Sequence, residues 1–589
     1  MQRGISVLAF FVPAFIMLVL FIIRGIYPFG DRSFLFSDMY HQYMPFLSEF
    51  VHKIKAGEGL FYSYNVGIGS NFLALYVYYL ASPFNWLVFL LPEGLIMEFM
   101  SYLVILRIGL MGLTFSIYLR KVFGKEDPAA LLFSTAYALS GYLAAYNWNV
   151  MWLDCLILLP LILLGAERLV REGKWVMYTV TLGLCILTNY YISIMICIFL
   201  VLYFGMFLIT EYYTMTEGQS SKARIVFGRI GRFAFASLLA GGLAAVLLIP
   251  EVCAILRTDF GNSDFPGTLE SYFSVFDMLA RHCLCVTTER GLEHWPNIYC
   301  GVAVFLLVPM YALNEKISVR KRFCNLALAG FLLLSFGTNV LDFLWHGLNY
   351  PDSLPARQSF LYIFLILVMC YDAFRNVEGT SPRQIIYGYL AAVIFLLACE
   401  KFVESEDFDT GIEVLTLVFV TIYGVLLYLY RTRKDELTRQ VLGILVLACV
   451  VAELSINTFN TSLGTTGRSA YLGDQEDYKA LYALAQEQEG DDFFRIEKFT
   501  RKTKNDGTLT GYPTASVFSS TMNSNVMDLY KMLGMRHSKV YYGFDGATAF
   551  VSALLNVDYM FGESDKYENG LYEICLLYTS PSPRDSTSS

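Results

Sequence analysis

The sequence predicts a polytopic α-helical membrane protein, and three observations carry that expectation. Hydrophobic residues make up 56% of the 589-residue chain and charged residues only 16%. The mean hydropathy is +0.49. Soluble domains hold about a quarter charged residues, so this balance lies outside their range. Apolar runs long enough to cross a hydrocarbon core of roughly 30 Å recur through most of the chain. Lys and Arg gather between alternate runs, the pattern that keeps positive loops in the cytoplasm.

About thirteen runs qualify, at 4–27, 97–119, 128–146, 153–167, 174–189, 191–210, 233–250, 298–313, 323–345, 358–374, 384–400, 411–430 and 440–458. The first follows one early Arg and has no small-residue cleavage site after it, which reads as an anchor and not a removed signal peptide. With the N-terminus inside, the inner loops hold Arg120, Lys121 and Lys125; Arg168, Arg171 and Lys174; Lys222, Arg224, Arg229 and Arg232; Lys316, Arg320, Lys321 and Arg322; Arg375 and Arg383; and Arg431, Arg433, Lys434 and Arg439. The outer loops are poor in them, and the one at 401–410 is mostly acidic. Residues 1–458 therefore read as the transmembrane domain, with long outer loops at 28–96 and 251–297.

In the first outer loop, Met44, Leu47, Phe50, Val51 and Ile54 recur at helical spacing between Glu49, His52, Lys53 and Lys55, which predicts a helix lying in the outer interface. The apolar piece 72–91 is interrupted by Pro83 and fringed by Tyr76, Tyr78, Tyr79 and Trp86, as in an interfacial or re-entrant segment. After Ile456 the apolar runs shorten. Strands are expected at 493–497 and 539–542 and a helix at 475–488, within an extracytoplasmic α+β domain at 459–574. The Ser- and Pro-rich end, 575–589, resembles translated sequencing-adapter read-through and is set aside, with the native chain expected to continue.

A net charge of −8 without a basic stripe excludes nucleic acid as the expected partner. The 12 Cys are scattered, many inside apolar runs, and fit neither a disulfide framework nor a zinc site. The 6 His all fall in segments placed outside, but none has ligand spacing, so no metal and no cofactor are expected. Phosphate-binding glycine loops are absent, which disfavours ATP-driven chemistry.

Asp38 stands just outside the first run, beside Tyr40, His41, Gln42 and Tyr43. A carboxylate there can take a proton from an acceptor hydroxyl; the alternative is an N-cap on the helix that follows. Arg107 falls mid-run, where a cation is costly and faces a cavity or a partner. It either holds a lipid phosphate or pairs internally with Glu98 or Asp154. The stretch from Asn147 and Trp148 to Asp154 brings polar and aromatic groups suited to sugars, or else an aromatic belt. Arg357 enters a run from the outside against the charge trend, suggesting a phosphate ligand or an ion pair with an outer-loop acid.

Five stretches together resemble the bacterial YfhO-like membrane protein family: Ser37-Asp38-Met39-Tyr40-His41-Gln42-Tyr43, Asn147-Trp148-Asn149-Val150-Met151-Trp152-Leu153-Asp154, Leu187-Thr188-Asn189-Tyr190-Tyr191, Pro296-Asn297-Ile298-Tyr299-Cys300-Gly301 and Leu354-Pro355-Ala356-Arg357-Gln358-Ser359-Phe360. The resemblance implies a GT-C-like fold and a glycosyltransferase of hexosyl or N-acetylhexosaminyl class. Such an enzyme takes its sugar from a polyprenyl-phosphate carrier in the membrane and passes it to a teichoic-acid-like envelope polymer or glycolipid on the outer face. Asp38 matches the family's catalytic base, and Tyr40, His41, Gln42, Arg107, Asn147, Trp148, Asp154, Asn189, Tyr190 and Arg357 are the candidate substrate-binding residues. Members are usually longer. The rival readings are a transporter or flippase of lipid-linked glycans, which calls for an inverted repeat not visible here, and a non-catalytic envelope scaffold.

Overall fold

The computed structural model describes residues 4–124, 127–217, 221–259, 264–351 and 353–562. The expected read-through tail at 575–589 and the end of the expected outer domain lie outside them. The chain forms two compact units. The first comprises Met1–Tyr43, Tyr76–Leu256 and Phe260–Ala470; the second comprises Met44–Leu75, Arg257–Asp259 and Tyr471–Ser589. The boundary expected after residue 458 falls inside the helix Glu436–Thr461. Its polar last turn stays helical because Thr458 and Thr461 return their hydroxyls to the carbonyls of Leu454 and Asn457.

In the first unit every expected apolar run falls on helix. Among the described residues, nine helices are long and apolar enough to cross a membrane, or ten if the bent pair Phe72–Leu80 and Pro83–Leu90 counts as one span. The other four runs fold as Val176–Thr188, Val304–Leu313, Val319–Gly337 and Ser359–Arg375. Three of these are short, and Arg320, Lys321 and Arg322 open the fourth. By length and apolarity alone the structure thus stops short of thirteen. The bent pair turns by 96° around Ser82, whose hydroxyl caps Phe84, with Pro83 opening the second piece.

The helices Ala129–Ala138, Leu153–Glu172 and Ser359–Arg375 are buried almost throughout. By contrast, Lys222–Ile255 and Pro382–Phe402 leave Phe235, Leu238, Val246, Ile394 and Leu397 exposed. Apolar surface on that scale is a liability in water and suits hydrocarbon. Between helices the packing relies on small residues. A Cβ at Gly112, on Ile96–Phe123, would overlap the carbonyl of Ala9 on Gly4–Ile23, and one at Gly165 would lie 2.6 Å from the backbone nitrogen of Tyr178.

The start of the first outer loop is tied to the exit of the last long helix. Arg32–Ser33 pairs antiparallel with Thr466–Gly467. Arg24 donates to the carbonyl of Phe459 at 2.7 Å, Arg468 meets Glu98 at 2.5 Å, and Ser469 donates to Asp31 at 2.6 Å.

In the second unit, Arg495–Lys498 pairs parallel with Val557–Phe561, while Val517–Phe518, Tyr541–Tyr542 and His537–Ser538 form an antiparallel sheet with Tyr541–Tyr542 in the middle. The helix Gln475–Glu489 packs Tyr478 and Ala485 onto Phe494, Ile496, Tyr512 and Phe561. The helix Met44–Lys55 also belongs here, and this corrects the interfacial expectation. Its stripe is buried against Asp506–Thr510: Ser48 donates to the carbonyl of Leu509 at 3.0 Å, and the buried Glu49 accepts from Ser63 at 2.6 Å and Asn65 at 3.1 Å. An apolar stripe reports that a face is covered, not whether protein or lipid covers it.

Candidate functional site

Asp38 is held by the backbone before it. Phe36 lies edge-on to Trp148 at 6.1 Å and beneath Arg290 at 4.9 Å, and its ring occupies the space where Gly464 has no side chain. Ser37 then turns the chain with a φ of +49°, a region non-glycine residues seldom adopt. The N–H groups of Met39, Tyr40 and His41 go to the carbonyls of Phe36 and Ser37, so the Asp38 carboxylate is not spent as a helix cap. It accepts one bond from Gln42 Nε2 at 3.3 Å. Burial pushes its pKa up to about 6, against the opposing pull of the Arg357 charge. Such a carboxylate is ionised at neutral pH yet basic enough to take a proton.

Arg357 sits in a loop that wraps its own side chain. Leu354 and Ala356 both have positive φ, and the carbonyls of Leu354 and Ser353 accept from Nε at 3.0 Å and Nη2 at 2.9 Å. The guanidinium lies 5.4 Å from the ring centre of Trp152 and 5.1 Å from that of Tyr191. Among the described residues no carboxylate lies within ion-pair distance of it, so the outer-loop acid of the alternative reading is not found there. Two buried donors flank the same cluster. The indole Nε1 of Trp152 and the hydroxyl of Tyr142 have no hydrogen-bond partner among the described residues. Buried donors are rarely left so.

Tyrosines close the shell. Tyr43, buried on the π-turn Met39–Tyr43, donates to Asn149 Oδ1 and lies 5.7 Å from Tyr79. Burial, and then the Asp38 charge, keep its hydroxyl protonated well beyond the usual tyrosine range. Tyr78 lies tilted against Tyr79 at 4.6 Å and meets Tyr190 edge-on at 6.0 Å. Tyr146 packs on Tyr142 and Trp152, donates to the carbonyl of Pro355 at 2.8 Å and accepts from Asn297 at 3.2 Å. Asn297 also brackets Glu289, accepting from its N–H and donating to its carbonyl, so Tyr146 links this loop to the Arg357 loop.

The structure sorts the sequence candidates. Asp38, Gln42, Tyr190 and Arg357 fall in or beside this cluster. Tyr40 and the exposed His41 meet edge-on at 4.8 Å on the turn after Asp38. Five others have hydrogen-bond or ion-pair partners within the protein. Arg107 and Asp154 pair at 2.9 Å, both buried, and Arg107 also donates to Ser82 at 2.8 Å. A cation mid-helix needs a partner, and Asp154 across from it supplies one. Asn147 donates to Ser462 at 2.8 Å, and Trp148 is buried with its indole on the carbonyl of Ala145 at 2.7 Å. Asn189 caps the helix Tyr190–Thr216 through the N–H of Ile192 at 2.9 Å.

Sequence reasoning passed over Tyr43, Asn149, Trp152 and Tyr191, although each lies inside a stretch already singled out. It also passed over Tyr142 and Tyr146. The usable signal was helical phase, since Tyr142 and Tyr146 stand four apart and share a face. Among the described residues no three His, Cys, Asp or Glu side chains gather as metal ligands do.

Residues 9–582 match the family profile described as bacterial membrane protein YfhO. The uncharacterized protein YfhO of Bacillus subtilis (strain 168) is 21% identical over 498 residues, covering 80% of this chain and 54% of that protein. The chain therefore spans about half the length of this curated relative. Among solved structures it is similar to the arabinofuranosyltransferase AftD from Mycobacteria, with 12% identity, a TM-score of 0.49, and coverage of 95% of this chain and 35% of that one. It is also similar to ArnT from Cupriavidus metallidurans bound to undecaprenyl phosphate, with 13% identity, a TM-score of 0.36, and coverage of 84% and 83%.

Proposed function

The chain belongs to the bacterial YfhO membrane protein family, and from that premise we propose that it is an integral-membrane glycosyltransferase using a polyprenyl-phosphate sugar. The sugar, a hexose or N-acetylhexosamine, passes to a hydroxyl of a teichoic-acid-like envelope polymer outside the cytoplasmic membrane. In this reading the N-terminus lies in the cytoplasm, and Asp38 and Arg357 face outward with the second unit.

The observation that carries the proposal is the opposition of two unspent charges. Among the described residues the Asp38 carboxylate receives one weak hydrogen bond, and the Arg357 guanidinium has aromatic faces and two carbonyls but no acid within ion-pair distance. Arg357, with the unpartnered donors of Trp152 and Tyr142, suits a phosphate monoanion. In the reaction, an acceptor hydroxyl gives its proton to Asp38 while its oxygen bonds to the anomeric carbon. The carbon–oxygen bond to phosphate breaks, and the lipid phosphate leaves with the electron pair. Arg357 holds the charge that develops there.

The test uses the purified protein in nanodiscs with undecaprenyl-phosphate glucose or undecaprenyl-phosphate N-acetylglucosamine, radiolabelled in the sugar, and a teichoic-acid polymer. Label should move to the polymer and cease to do so in Asp38→Asn, with membrane insertion unchanged. Full transfer by Asp38→Asn, or lipid translocation without any transfer, overturns the proposal.

A further inference from the structure

A second acid beside this cluster has no role so far. Glu251 lies near the end of the helix Lys222–Ile255, which packs against both Tyr76–Leu80 and Tyr190–Thr216. Its side chain is wholly buried, and neither carboxylate oxygen has a hydrogen-bond partner among the described residues. Tyr190, at the start of the second of these helices, lies within electrostatic range of Glu251 and meets the Tyr78 ring edge-on at 6.0 Å.

A buried carboxyl without donors is costly, and packing does not require one there: Leu would fill the space more cheaply. It is retained where something brings donors to it. Its position defines the kind of donor. The phosphate-suited side of the cluster, at Arg357, offers orphaned donors, whereas Glu251 offers orphaned acceptors beside aromatic rings. Acceptors beside ring faces match a pyranose, whose hydroxyls donate and whose C–H face stacks.

We propose that Glu251 reads the sugar of the lipid-linked donor, its carboxyl accepting hydrogen bonds from ring hydroxyls over the Tyr78 and Tyr190 rings. This rests on the glycosyltransferase reading above and adds a specificity-determining residue to it. Glu251 acts on the sugar alone, Arg357 on the phosphate shared by loaded and empty carriers.

The experiment separates the two. Binding of undecaprenyl phosphate, undecaprenyl-phosphate glucose and undecaprenyl-phosphate N-acetylglucosamine is measured on the full chain in nanodiscs, for wild type, Glu251→Gln and Arg357→Lys. Glu251→Gln should weaken at least one sugar-bearing lipid about tenfold and leave the bare carrier within about twofold. Arg357→Lys should weaken all three. Equal effects of Glu251→Gln on loaded and bare carriers, or none, overturn the inference and leave the glycosyltransferase reading standing. If wild type binds no carrier at all, both fall. A measurement on unmutated protein covers poor folding of the variant: carbodiimide should label Glu251, with protection by the sugar-bearing lipid but not by undecaprenyl phosphate. Equal protection by both counts against the inference.

Discussion

Two arginine–aspartate sets in the same unit began as equals in sequence and ended as opposites in structure. Arg107 and Asp154 lie 2.9 Å apart, fully buried, with Ser82 at 2.8 Å from the guanidinium. Asp38 and Arg357 act on each other electrostatically without forming an ion pair among the described residues, and each is held by weaker neighbours. The closed pair spends its charge on joining two helices. The open one keeps its charge for something else, and this separation, not burial as such, distinguishes a site from a brace.

The largest expected effect would break the comparison outright. Asp38→Asn should lower transfer by about 10²- to 10⁴-fold, the range for losing a general base, with unchanged protein yield. A purified variant retaining a tenth of the wild-type rate would put Asp38 among the braces. Next, Asp154→Asn should destabilise the protein by about 3–5 kcal/mol, because Arg107 is left buried without its counter-charge. Thermal unfolding in detergent measures this, and a wild-type melting temperature would show that the pair is dispensable.

A smaller effect sharpens the open set. Arg357→Lys keeps the charge but loses the fork, so donor use should fall by about ten- to a hundredfold, or roughly 1.5–3 kcal/mol, with little change in stability. If the variant's melting temperature accounts for the entire loss, Arg357 is structural. The smallest effect concerns pH. The folded Asp38 has a pKa of about 6, above the ordinary value of 3.8. A carboxyl raised in this way favours the fold below about pH 4 and loses that contribution as pH rises through 6. Asp38→Asn removes an ionised buried group, so at pH 7.5 the variant should be more stable than wild type by about 1–3 kcal/mol, and the gain should vanish near pH 4. Equal stability of the two proteins at both pH values would contradict the burial of Asp38. Gln42, Tyr43 and Arg357 are the neighbours that face it.

What the sequence made legible follows from what repeats locally. Apolar runs of span length became helices throughout the first unit, and 475–488 became Gln475–Glu489, because composition and period act over a few neighbouring turns. Arg357 stood out because a cation at the outer end of a run goes against the charge trend, whereas Asp38 was singled out by its place after the first run and by the family resemblance. The partners of a residue are not local. Asn147 and Asn149 are two positions apart and chemically alike, yet one bonds Ser462 and the other Tyr43. Nothing in Asn147-Trp148-Asn149 distinguishes them before the helices pack. The same holds for Met44–Lys55, whose stripe specified a covered face but not its cover.

The clasp between Arg32–Ser33 and Thr466–Gly467 has a consequence for biosynthesis. Its reinforcing contact, Arg24 to Phe459, joins residues 435 apart in sequence. A ribosome delivers spans to the membrane in order, so the loop bearing Asp38 emerges at the outset and waits for its second strand until nearly the whole unit has been made. Gly464, which leaves room for the Phe36 ring, also arrives with that last portion. The loop that bears Asp38 therefore reaches its final pairing only after residue 467 has been made. Completion of the membrane unit and closure of the clasp before Asp38 are one event.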